Sequence, residues 1–213
     1  MRQCILIRLV ESIFMKIISQ RFCLVLMLLQ PACAWSEGWK LDESVSGWES
    51  FALGFASGIV LHETGHVIVA TSKGYNVNHD GLSITYPGAH YGHGDQLQLA
   101  SAGIQTQWLL SELVLRDRNG NEHIKPPGDF GAGVVFSYIG VSAAYLTFLK
   151  NQYNGDVAGM TNATGLSHDR IALMMAVPAV LDAWRLLGDD VPHWVPALSV
   201  VSKGIGAAWI WTY

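Results

Sequence analysis

The chain has 213 residues, half of them hydrophobic and only 14% charged, with a mean hydropathy of +0.27. Water-soluble globular domains carry roughly 25% charged residues, so this composition argues against a disordered chain or an ordinary cytosolic enzyme and favours a membrane protein. Thirteen Lys and Arg against seventeen Asp and Glu leave no basic excess for phosphates, which argues against nucleic acid as a partner.

Residues 1–34 read as a secretory signal, with Met15 as a second possible start. Lys16 and Arg21 form the positive region, Phe22 to Leu29 the apolar one, and Ala32-Cys33-Ala34 a small-residue cleavage site. All three cysteines (Cys4, Cys23 and Cys33) lie here. A mature chain over 35–213 therefore has no disulfide, thiol nucleophile or cysteine metal ligand. Residues 35–48 form a polar lead-in. From Phe51 to Ala70 the chain is apolar on all sides apart from His62, Glu63 and His66, which predicts a buried or membrane helix. Within it, Gly54-x-x-x-Gly58 lets a second helix approach closely.

Gly74 to Asp95 is a Gly, His, Asn and Tyr-rich stretch, and the alternation over Leu82–Tyr86 predicts a short strand before Pro87-Gly88. Leu97 to Leu115 reads as a helix, followed by a loop over 117–130. Gly131 to Leu149 gives nineteen residues without a charge, the clearest membrane-spanning candidate. Residues 150–170 read as a polar loop. Ile171 to Leu187 is an apolar helix broken only by Asp182 and Arg185, and the segment from about 193 ends in Trp209-Ile210-Trp211-Thr212-Tyr213, an aromatic boundary signature. The expected fold is an all-α membrane protein, a polytopic bundle of four to five helices with a small strand or hairpin near residues 80–90.

His62-Glu63-Thr64-Gly65-His66 is an H-E-x-x-H motif. On a helix, positions i and i+4 share a face, so both imidazoles can ligate one metal ion, and Glu63 is placed to take a proton from water at that metal. Two imidazoles and a carboxylate are costly in an apolar helix unless paired or metallated. A catalytic zinc takes a third protein ligand and leaves a position open, and here the third must be His, Asp or Glu. Asp182 is the leading candidate because it is the one acid in its helix. An ion pair with Arg185 is the alternative reading, and His168 and Asp169 are rival ligands, although Ser167 to Asp169 also suits a helix cap. Two histidines and a carboxylate also suit Fe(II).

The chain resembles the site-2 proteases, intramembrane zinc metalloproteases, in three places. These are His62 to His66, Ala102-Gly103-Ile104-Gln105-Thr106-Gln107, and Pro178-Ala179-Val180-Leu181-Asp182. Ile104, Gln107 and Ala183 stand where the family has Pro, Asn and Gly. The resemblance implies that His62, His66 and Asp182 hold Zn2+ and that Glu63 activates water. It also implies an integral protein of the cell membrane, here with the N-terminal targeting signal read above, that cleaves a membrane-protein or peptide substrate in or near the lipid bilayer. The other readings are a soluble or periplasmic zincin-type metallopeptidase and a non-enzymatic membrane scaffold with a metal site. Glu112 is a possible supporting carboxylate, His79, His90 and His93 a possible accessory metal site, and Asn162-Ala163-Thr164 a glycosylation sequon.

Overall fold

A computed structural model describes residues 45–79, 84–116 and 127–213. The signal read over 1–34 and most of the lead-in lie outside the described residues. The described residues are mostly helical, with a two-stranded antiparallel sheet. In chain order they are α1 (Val45–Ser72), β1 (Asn78–His79), β2 (Ile84–Thr85), α2 (His93–Leu115), α3 (Asp129–Thr147), a 3-10 turn (Leu149–Asn151), α4 (Asp156–Thr164), α5 (His168–Leu187) and α6 (Trp194–Thr212). The strands pair Asn78 with Thr85 and His79 with Ile84, so the strand expected near 80–90 is one arm of a very short hairpin. Two of the helices, over Gly47–Ser72 and Asp129–Thr147, are long and apolar enough to cross a membrane.

The buried side of α1 is a ladder of period four: Gly54, Gly58, His62, His66 and Ala70, the spacing that stacks side chains on one helical face. Its glycines let α3 pack against it without clearance. A Cβ at Gly54 would run into the Phe130 carbonyl, one at Gly58 into the Ser137 hydroxyl, and one at Gly133 of α3 into the Phe51 carbonyl. The close approach read from Gly54 and Gly58 is thus made against α3. The opposite face of α1 is apolar and uncovered, with Leu53, Val60 and Ile68 each at least 60% exposed.

The core lies where α2, α3, α4, α5 and α6 meet, around Ile104, Tyr138, Val157, Met160, Ile171, Met175 and Ile210. Ser167 caps α5 by accepting from the Arg170 amide at 3.4 Å, as the residues there suggested. The polar loop expected over 150–170 is not all loop. It folds into α4, which buries Val157, Met160 and Ala163 at helical spacing and stops at Gly165, left-handed at φ 71. Glycine takes that conformation at a helix end without the steric cost of a Cβ.

Candidate metal centre

Successive turns of α1 bring the His62 and His66 Nε2 atoms to 3.4 Å from one another. The first residue of α4 meets them there. Asp156 Oδ2 is 3.1 Å from His62 Nε2 and Oδ1 is 3.3 Å from His66 Nε2. Among the described residues these three form the group able to hold a metal, with one ligand atom from each lying within 4.8 Å of the others.

The far side of each ring sets its tautomer. His66 Nδ1 lies 2.8 Å from the Leu99 carbonyl and His62 Nδ1 lies 3.2 Å from Gln107 Oε1. Both partners are acceptors, so each Nδ1–H donates outward and each Nε2 faces Asp156, the orientation in which an imidazole can ligate a metal. Gly103 of α2 supplies the space for this, since a Cβ there would overlap the His62 ring. Each Nε2 also lies within hydrogen-bond reach of the Asp156 carboxylate, so a metal ion bound there would take the place of a proton. Two nitrogens and one carboxylate oxygen also match the donor set of catalytic zinc. The residues therefore fit the metal.

Burial alone would raise the Asp156 carboxyl, but the neighbouring His66 and His62 outweigh it and hold the group well below the usual carboxylate range. The Tyr145 hydroxyl donates to Asp156 Oδ2 at 2.6 Å. The group opens on a cleft of about 410 Å³ whose walls include Glu63, Tyr86 of the hairpin and Asn162 of α4. Glu63 is half-buried and lines the same cleft.

Asp182 does not join the histidines. Its Oδ1 accepts from Ser199 Oγ at 2.6 Å and from Arg185 Nη1 at 2.9 Å, and its Oδ2 accepts from Lys203. Glu112 is drawn into the same cluster, 2.6 Å from Arg185 and 2.5 Å from Lys203. Both carboxylates are thus committed to a buried network of two acids and two bases, and the alternative reading of Asp182 as an ion-pair partner is the one the geometry favours. Asp169 pairs at the surface with Lys150 at 2.5 Å, and neither it nor His168 enters the metal group. His79, His90 and His93 are exposed and make no three-ligand cluster among the described residues. Gln107 lies behind His62, and its Oε1 is 3.2 Å from the ring's Nδ1.

Asp156 was absent from the sequence-based candidates. The local signals were Gly155 before it and Gly165 nine residues after it, which bracket a short helix whose first turn carries an acid. Comparison with models of known protein families, with curated proteins and with solved structures finds no match.

Proposed function

We propose that the chain is a membrane-embedded zinc metalloendopeptidase in which His62, His66 and Asp156 hold the metal and Glu63 is the general base. The observation that carries this reading is the convergence of two outward-anchored imidazoles and a half-buried carboxylate beside the glutamate of an H-E-x-x-H motif, at the wall of a cleft. When bound, zinc supplies Lewis acidity that polarises a carbonyl oxygen and acidifies water. The Glu63 carboxylate accepts a proton from the attacking water and returns it to the leaving amine, so that the amide bond breaks without a free charged amide nitrogen. The Tyr86 phenol, pushed up by burial and by Asp156, stays protonated and is a donor for a peptide carbonyl in the cleft.

The membrane assignment is supported by the uncovered apolar face of α1. A helix serving as the core of a water-soluble protein would bury such a face, whereas lipid covers it at no cost. With α3 beside it, α1 makes the minimum of a polytopic bundle, and the substrate is then a membrane protein or peptide reaching the cleft at the bilayer of the cell membrane. The similarity to site-2 proteases rests on His62, Glu63 and His66, with the third ligand drawn from another helix.

The test uses protein purified in detergent, metal analysis, and cleavage of a peptide library read by mass spectrometry. Wild type is expected to carry one zinc per chain and to cleave. Glu63→Gln should keep the zinc and lose hydrolysis, and Asp156→Asn should bind zinc more weakly and lose hydrolysis. Iron in place of zinc, or hydrolysis retained by Glu63→Gln, would refute the assignment.

A further inference from the structure

Asp156 opens a helix of only nine residues that follows a 3-10 turn, and its carboxylate caps no backbone amide of that helix. Without other restraint its side chain is free to rotate away from the histidines, a loss of order that a metal site cannot tolerate. The restraint comes from α3. Tyr145 lies eleven residues earlier on the last turns of that helix, is 6% exposed, and packs in the core among Val157, Ile171 and their neighbours. Its ring is fixed by packing, and its hydroxyl reaches Asp156 Oδ2 at 2.6 Å while standing 3.5 Å from His62 Nε2. The proton therefore goes to the carboxylate.

The contrast with Asp182 is chemical. That carboxylate receives Arg185 and Lys203, whose positive charges satisfy it fully. Tyr145 is a neutral donor, so it occupies one lone pair of Asp156 and fixes its rotation without adding a positive charge that would compete with a metal ion. We propose that Tyr145 is the positioning residue for the third metal ligand, acting on metal affinity through Asp156. The inference rests on the metal-centre reading above.

The test is zinc affinity rather than turnover. Metal-stripped full-length protein in detergent is titrated with zinc against a chromophoric chelator. Tyr145→Phe keeps the ring and removes the hydroxyl. It should weaken zinc binding by about 10–100-fold, the usual effect of losing a group that orients a ligand. Tyr138→Phe is the control, because Tyr138 is also buried on α3 and forms no hydrogen bond to the histidines or Asp156; its affinity should match wild type. In an Asp156→Asn background, Tyr145→Phe should add no further loss. Unchanged affinity in Tyr145→Phe would overturn the proposal, as would an equal loss in Tyr138→Phe or a full further loss in the Asp156→Asn background. A wild-type protein that binds no zinc would overturn the metal-centre reading itself, and this inference with it.

Discussion

Asp182→Asn separates the two roles that a buried acid in α5 can have. The substitution keeps the side chain's size and removes its charge, leaving Arg185 and Lys203 to share Glu112. Asp182 is fully buried and Arg185 and Lys203 nearly so, so solvent does little to soften the imbalance. Breaking one partner out of a buried ionic network costs about 3–5 kcal/mol. For a chain of this size each kcal/mol lowers the melting temperature by roughly 2–4 °C, which gives a fall of about 6–20 °C. The assay is thermal unfolding of the detergent-solubilised protein by circular dichroism, with zinc content measured on the same preparation. Zinc should stay at the wild-type level, because His62, His66 and Asp156 are untouched. Lys203→Met should lower the melting temperature comparably, and the double variant should lose less than the sum of the two. Loss of zinc from Asp182→Asn, or a fall below about 1 °C, would refute the division of labour between the two carboxylates.

Gly103→Ala puts a methyl group where the His62 ring lies; overpacking of this kind costs about 1–3 kcal/mol, and both melting temperature and zinc occupancy should fall, as unfolding and metal analysis would show. Gln107→Leu removes the acceptor at His62 Nδ1 and should weaken zinc binding by about 10–100-fold with little change in the cleft, measured by chelator competition. Lys73 and Tyr75 hydrogen-bond to Asp95 and hold its carboxyl below the usual range. A depressed folded-state pKa stabilises the fold above the unfolded value of about 3.9 and loses that stabilisation as pH falls through the folded value. The stability gap between wild type and Asp95→Asn should therefore be full at neutral pH and close under acid, in melting curves taken across that range.

The helices were legible because their apolar runs are long. α2, α3, α5 and α6 appear within a few residues of the ranges their composition suggests, while α1 starts at Val45, six residues before the expected Phe51 and inside the segment read as a polar lead-in. The histidine pair was legible for a local reason, since four residues of helix suffice to put two imidazoles on one face. Asp156 was not, because it meets His62 across 94 residues of chain, and no periodic pattern encodes a contact at that separation. Its helix is also short, with only four buried apolar residues, two of them alanines, to distinguish it from a loop.

Asp182 misled for a related reason. An acid inside an apolar helix must be compensated by something, and composition announces that need without naming the source. Arg185 is visible at three residues' distance, but Lys203 and Ser199 come from α6, whose sequence reads as a lipid-facing, aromatic-ended segment. Asp156 carries the same need and meets imidazoles and a phenol in place of cations. Two carboxylates in one bundle, one buried and one half-buried, thus meet different neighbours. Protein cations neutralise Asp182 and make it part of the fold. Asp156 instead meets a phenol and two titratable imidazoles, whose protons a metal ion can displace, and two nitrogens with a carboxylate oxygen are the donor set on which the proposed zinc site rests.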